Sequence, residues 1–301
     1  MSQTSRTFTL NTGAKIPAIG LGTWQSAPNQ VKLAVEAALK NGYRHIDTAF
    51  AYQNEKEVGD GIIASGVPRE EIWLTTKLDN PWHKRVPEAI TKSLENLQTD
   101  YVDLYLMHWP SSTDPDDLKK HYPDWDYVDT WRELQKLVDT GKVKNIGVSN
   151  FGLTHLERLL SDPSTKVFPP IVPAVNQIEL HPCNPSPKLL DYCKSKGIHA
   201  TAYSCLGSTD SPLYTNQTLL EIAKSKDRTP QQVLLQWGLA RDVSVIPKSV
   251  SEGRIKANYD LDGWSLTDDE IKKISAIPDR FKVCDGTFLP DGVKVFFGDD
   301  E

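Results

Sequence analysis

A chain of 301 residues, 39% hydrophobic and 25% charged, carries ample apolar side chain for a large core, which excludes disordered and collagen-like classes. The length admits two domains of about 150 residues each, or one closed α/β barrel of about 250. With 34 Lys and Arg against 40 Asp and Glu the formal charge is −6, a mildly acidic surface that argues against a nucleic-acid partner and leaves room for a local basic site on one small phosphate.

Residues 7–10 and 16–19, joined by Asn11-Thr-Gly-Ala-Lys15, predict a β-hairpin whose turn uses Gly13 for a positive φ. Short β-rich runs then alternate with helical patterns: 18–22 with 28–41, 45–47 with 54–65, 72–78 with 86–97, and 101–108 with 128–140. The alternation continues as 143–149 with 154–160, 174–179 with 187–196, 199–203 with 218–226 and 229–240, and 243–247 with 251–259. Runs such as Val143-Lys-Asn-Ile-Gly-Val-Ser149 are too short and apolar for a sheet with one wet face and suit a parallel sheet covered by helices. Eight successive units without a linker predict an α/β fold, a single (β/α)₈ TIM barrel over 1–301, since closure removes both sheet edges. Two segments exceed the repeat: a polar, aromatic loop at 111–127 and a tail at 277–301, both expected on the substrate side of the barrel.

Several motifs are expected to be incidental. Gly59-Asp-Gly61-Ile-Ile-Ala64 fits a dinucleotide fingerprint but follows a polar stretch and not a strand. Tyr192-Cys-Lys-Ser-Lys196 sits in a surface helix pattern. His181-Pro-Cys183 lacks a second ligand pair, so no metal is expected. Cys183, Cys193, Cys205 and Cys284 form no C-x-x-C pair and are expected to be reduced thiols. The start of the chain lacks a signal-peptide pattern and no stretch approaches the ~18 apolar residues that span a bilayer, so a cytoplasmic protein without membrane contact is expected. The Asn216-Gln-Thr218 sequon carries no glycan in that setting.

Four ionisable residues stand at the C-terminal ends of consecutive predicted strands: Asp47 with Tyr52, then Lys77, then His108. In a barrel these ends converge. Taken singly they read as a helix cap, an interfacial aromatic, a snorkelling lysine and a core histidine. Lys77 ends the apolar run Ile72-Trp-Leu-Thr-Thr76, so its ammonium must find a buried carboxylate, and Asp47 is one strand away. A lysine cation about 4 Å from the Tyr52 phenol is worth about 4 kcal/mol at an effective dielectric near 20, enough to lower the phenol by up to about three pH units before desolvation subtracts. Tyr52 then becomes a proton donor, neutral His108 orients a carbonyl oxygen, and Trp24, Trp82 and Trp109 wall an apolar pocket. Such a site protonates an oxygen but holds no electron source, so the reductant must come from a bound cofactor.

Gly42-Tyr-Arg-His-Ile-Asp-Thr-Ala49 with Tyr52-Gln-Asn-Glu55, Gly141-Lys-Val-Lys-Asn-Ile-Gly-Val-Ser-Asn-Phe151, and Ile246-Pro-Lys-Ser-Val250 with Arg254 resemble, in order, three signatures of the aldo-keto reductases. The motif Lys77-Leu-Asp-Asn-Pro-Trp82 is most similar to the fungal glycerol dehydrogenase and glyceraldehyde (aldose) reductase branch. The resemblance implies an NADPH-dependent carbonyl reductase with Asp47, Tyr52, Lys77 and His108 as its catalytic tetrad. It implies that Gly22, Thr23, Trp24, Asp47, Ser149, Asn150, Gln177, Tyr203, Ser204, Leu206 and Ser208 hold the nicotinamide half of the cofactor, with Tyr203 stacked on the ring. Lys248, Ser249, Val250 and Arg254 would grip the 2′-phosphate, and Asn258 the adenine. Phe50 joins Trp24, Tyr52, Trp82, His108 and Trp109 as an expected substrate contact.

The chain departs from mammalian aldose-reductase relatives where Gln25 replaces a lysine that clasps the pyrophosphate with the aspartate matching Asp210, and faster cofactor release is expected. Ala257 replaces an adenine-contacting acid and Cys205 a proline. The expected reaction is reversible reduction of small aldehydes or ketones such as glyceraldehyde, aldoses, aromatic aldehydes or keto esters, in a monomer. The competing expectation is a cofactor-sensing module without turnover, as in the potassium-channel β subunits that share this fold. A metal-dependent barrel hydrolase finds no ligand cluster in the sequence.

Overall fold

The computed structural model of the protein describes residues 2–27, 29–163, 171–293 and 295. Strands β1 (Thr7–Thr9) and β2 (Lys15–Pro17) pair antiparallel across a turn in which Gly13 has φ 84°. The hairpin's Leu10 and Ile16 pack with Trp73, Leu104, Leu106, Ala174 and Val175, so it plugs the N-terminal end of the barrel.

Eight parallel strands follow: β3 (Leu21–Gly22), β4 (His45–Asp47), β5 (Trp73–Leu78), β6 (Leu104–Met107), then, past a hairpin of β7 (Thr113–Asp114) and β8 (Asp117–His121), β9 (Ile146–Ser149), β10 (Val175–Glu179), β11 (His199–Tyr203) and β12 (Ser244–Val245). Neighbours in this order pair in parallel from β3 round to β12. The ends then meet: Gly20 N–H donates to Val245 O at 2.9 Å, Val245 N–H to Ala18 O at 2.9 Å, and Gly22 N–H to Pro247 O at 3.1 Å. No lateral edge of the sheet is left open, as a closed barrel requires. All six residues of β5 are buried, which is why that run carries no polar alternation.

Helices α1 (Gln30–Lys40), α2 (Glu55–Ser65), α3 (Val86–Leu97), α4 (Tyr127–Gln135), α5 (Leu153–Ser161), α6 (Pro187–Ser195), α7 (Gln217–Lys226), α8 (Pro230–Ala240), α9 (Glu252–Tyr259) and α10 (Asp268–Ser275) are the α-helices among the described residues. In α3 the buried positions Val86, Ala89, Ile90, Ser93, Leu94 and Leu97 recur at helical spacing and form one face. The capping box of Thr229 and Gln232, with Pro230 in the first turn, starts α8.

Most predicted elements end within a residue or two of their expected bounds, and the differences have local causes. The 128–140 pattern breaks into α4 and a 3₁₀ turn at Val138–Thr140. The 111–127 loop contains the β7–β8 hairpin, whose turn is held by Asp114 accepting from Asp116 N–H at 2.9 Å. Helix α10 was outside every predicted unit, although Thr267 and Glu270 cap it reciprocally. Residue 28, at the expected start of the first helix, and residues 294 and 296–301 of the expected tail lie outside the described residues.

The dinucleotide-like glycines lie inside α2. A Cβ on Gly59 would come within 2.6 Å of Leu97 O and one on Gly61 within 2.7 Å of Lys32 O, so they serve helix packing. Among the described residues no helix is long and apolar enough to cross a membrane.

Candidate functional site

The strand ends of the barrel bring the four candidate catalytic residues together. Asp47 closes β4, Lys77 is the penultimate residue of β5, His108 follows β6, and Tyr52 ends a short 3₁₀ turn at Phe50–Tyr52 after β4. Lys77 Nζ is buried and surrounded by three oxygens: it donates to Asp47 Oδ1 at 2.5 Å, to Thr48 O at 2.8 Å and to Tyr52 Oη at 3.3 Å. An ammonium carries three hydrogens, so all are spent, and the geometry fits the charged form. Gln177 Nε2 donates to the second Asp47 oxygen at 2.6 Å, and Thr23 Oγ1 donates to Asp47 O at 3.0 Å. The carboxylate is thereby fixed from two sides.

The titration of Tyr52 corrects the expectation drawn from the sequence. Its phenol is not lowered by Lys77; burial pushes it well above its ordinary value, and the negative charge of Asp47 pushes the same way. Burial of the hydroxyl is the main physical reason; beside it, the 2.5 Å ion pair lets the carboxylate offset the field that a bare ammonium would exert on the ring. Burial likewise pulls Lys77 below its usual range, opposed by Asp47. Burial first, then the Lys77 charge, holds His108 well below its ordinary value, so the imidazole is neutral at pH 7. Its ring meets Tyr52 edge-on at 5.6 Å.

Both Tyr52 and His108 are partly exposed, and aromatic residues flank them in the chain at Phe50 and Trp109. Phe50 meets Trp82 edge-on at 5.5 Å, and Trp109 meets Phe288 edge-on at 5.2 Å. Trp24 is 38% exposed, so it is not buried in an apolar wall as expected. The β7–β8 segment is fastened beside this wall by Tyr122 Oη donating to Pro81 O at 2.9 Å, by the Lys84–Asp124 ion pair, and by His83 Nδ1 with Ser112 Oγ at 2.9 Å.

A second polar cluster borders the first. Tyr203, ending β11, donates through its hydroxyl to Asn150 Oδ1 at 2.6 Å; Asn150 Nδ2 donates to His108 O at 3.0 Å, and Ser149 Oγ to Gln177 O at 2.9 Å. Beyond them the 204–208 turn has Ser204 and Ser208 at positive φ, and Leu206 packs partly buried on the core. Where Gly22 meets the segment after β12, Lys248 Nζ donates to Gln25 O at 3.1 Å. Lys248 is lowered by burial and by the Arg254 cation, and among the described residues neither has a carboxylate within ion-pair distance. Glu252, the nearest acid in sequence, pairs with Lys256 at 2.9 Å. Two uncompensated cations with the buried Ser249 hydroxyl at the start of α9 are a donor set for a phosphate monoester. Val250 packs on the core beside them, and Asn258 is buried one turn along the helix.

Sequence reasoning gave no role to Glu179 or Phe288, and weighed His181 only as a metal ligand. Glu179 ends β10 as Asp47 ends β4, and the rule that singled out ionisable strand ends would have found it. Phe288 belongs to the 277–301 tail, where no periodic pattern places a ring.

Residues 18–279 match the family described as "Aldo/keto reductase family". Among curated proteins, glycerol 2-dehydrogenase (NADP(+)) of Saccharomyces cerevisiae is 44% identical over 293 residues, covering 92% of each chain. Aldehyde reductase YPR1 of the same yeast is 43% identical over 291 residues, covering 91% of each. Among solved structures, the Bombyx mori aldo-keto reductase in complex with NADP superposes with a TM-score of 0.84 at 37% identity, over 95% of this chain and 97% of that one.

Proposed function

The chain belongs to the aldo/keto reductase family, and from that premise we propose that it reduces small aldehydes and ketones to alcohols with Tyr52 as the proton donor. It is an NADP-dependent oxidoreductase, and its cofactor is NADPH/NADP⁺. We read residues 1–301 as one NADP-binding barrel domain. The four free cysteines suit a reducing, cytoplasmic setting, and we read the protein there as a monomer.

The observation that carries the proton-donor reading is the direction of one hydrogen bond. Lys77 Nζ donates to Tyr52 Oη, so the phenol accepts there and keeps its own hydrogen for another oxygen. Held well above its ordinary value, that phenol is fully protonated at neutral pH. Neutral His108, whose ring lies edge-on to Tyr52, orients the carbonyl oxygen toward the hydroxyl. When bound, NADPH supplies a hydride for the carbonyl carbon. The Tyr52 proton passes to the oxygen as negative charge develops there, and the Lys77 hydrogen bond stabilises the resulting phenolate until solvent reprotonates it. Phe50, Trp82 and Trp109 exclude water from the apolar side of the substrate, with Trp24 at the entrance.

Ser149, Asn150, Gln177 and Tyr203 would hold the nicotinamide end, with Gly22, Thr23, Trp24, Asp47 and the 204–208 turn alongside. Lys248, Ser249, Val250 and Arg254 would take the 2′-phosphate, and Asn258 the adenine. Lys248→Ala with Arg254→Ala is expected to weaken NADPH binding by at least about 100-fold while NADH affinity changes by less than about threefold, read by fluorescence titration. Equal losses for both cofactors would remove the 2′-phosphate assignment.

In place of a lysine clasp, the strap between the two loops is the Gln25 carbonyl on Lys248. Gln25→Lys should slow NADP⁺ release in stopped-flow chase by about tenfold; an unchanged rate would show that no clasp can form with Asp210.

The reaction itself is tested by NADPH consumption across glyceraldehyde, xylose, benzaldehyde and ethyl pyruvate. Turnover with at least one is expected, matched by alcohol product. Tight NADPH binding without turnover of any would make the barrel a cofactor sensor.

A further inference from the structure

We propose that Glu179 is a positioning residue that latches the C-terminal tail over the site and thereby sets the preference for aromatic over short carbonyl substrates; the substrate half of this inference rests on the carbonyl-reductase reading above. Glu179 is fully buried at the end of β10, in register with Tyr203 at the end of β11. Its carboxylate accepts from the tail's backbone: Val283 N–H reaches Oε1 at 2.6 Å and Cys284 N–H reaches Oε2 at 2.8 Å. His181, also fully buried, places Nε2 3.0 Å from Oε1 and stacks its ring on Phe281 of the tail at 4.6 Å. Phe281 N–H adds a bond to Cys183 O at 3.2 Å.

A carboxylate taken out of water must be repaid in hydrogen bonds, and here two of the donors belong to the tail. Docking of the tail and burial of the charge therefore require one another. Residues 277–293 form no helix or strand, so nothing periodic orders this stretch, and fixed contacts must do so. What the latch positions is visible just past it: four residues beyond Cys284, Phe288 meets the ring of Trp109 edge-on at 5.2 Å. Phe288 is 54% exposed, with little else to hold it once the tail lifts. An aromatic substrate stacked in that wall needs the tail in place, whereas a three-carbon aldehyde beside Tyr52 and His108 does not reach it.

Glu179→Gln keeps the shape but turns one acceptor into an N–H₂ donor facing a backbone N–H. In hydrogen exchange of the intact protein, the amides at 283 and 284 are expected to lose protection by at least about tenfold, with the barrel strands unaffected. The KM for benzaldehyde should rise about tenfold while kcat/KM for glyceraldehyde changes less than about threefold. Val283→Pro removes one donated hydrogen and leaves the carboxylate untouched; it should expose Cys284 and shift the same KM, and it decides the matter if Glu179→Gln does not fold. Unchanged exchange at the tail, lost protection with both substrates unaffected, or equal losses for both would each overturn the proposal. Absence of turnover by the wild-type protein would count against carbonyl reduction itself, while the exchange measurement judges the latch alone.

Discussion

Tyr52→Phe is expected to lower kcat for aldehyde reduction by about 10²–10⁴-fold while NADPH affinity stays within about twofold. The substitution removes one oxygen and little else. The ring, with Lys77 Nζ 5.0 Å from its centre and His108 at its edge, has the same shape in both residues. Lys77 keeps Asp47 and Thr48 O as acceptors, so the buried ion pair survives. The lost interaction forms chiefly when the carbonyl oxygen becomes basic, so the defect belongs in kcat and not in KM. Steady-state kinetics with a cofactor titration checks this; turnover within about tenfold of wild type would move the proton donor elsewhere.

Lys77→Met is expected to cost about 3–5 kcal/mol of stability and to abolish turnover, because it strands a buried carboxylate. Asp47 is 2% exposed, and without Lys77 its Oδ1 loses its ammonium while Oδ2 keeps only Gln177. Replacing both partners, Lys77→Met with Asp47→Leu, removes the charge as well as its counterion. Urea unfolding of the pair should recover most of the lost stability, while activity stays absent. That split separates the pair's part in the fold from its part in the chemistry. A double variant as unstable as the single one would show that packing, not charge, sets the cost.

Much of this was legible in the chain. Strand ends such as Asp47, Lys77 and His108 could be placed because a parallel barrel converges on one face, so a residue's position along its strand fixes where it goes. The direction of the Tyr52 titration was not legible. It depends first on how deeply the hydroxyl is buried and then on the nearby Asp47 charge, and both are tertiary facts. The tail was opaque for a related reason: it meets Glu179 through its own backbone amides at Val283 and Cys284, which carry no side-chain signature. The β7–β8 hairpin escaped because Asp117-Leu-Lys-Lys-His121 is a polar edge ribbon with no buried face to impose alternation. Helix α10, by contrast, announced itself in Thr267-Asp-Asp-Glu270, a capping box that the repeat count overlooked.

In the proposed mechanism Tyr52, buried beside the Lys77–Asp47 pair, is a protonated phenol ready to give its hydrogen to a carbonyl. An ultraviolet difference titration of the wild-type protein against Tyr52→Phe reads that phenol directly. No phenolate difference should emerge until the pH passes about 10. A phenolate at Tyr52 already present at neutral pH would contradict the account.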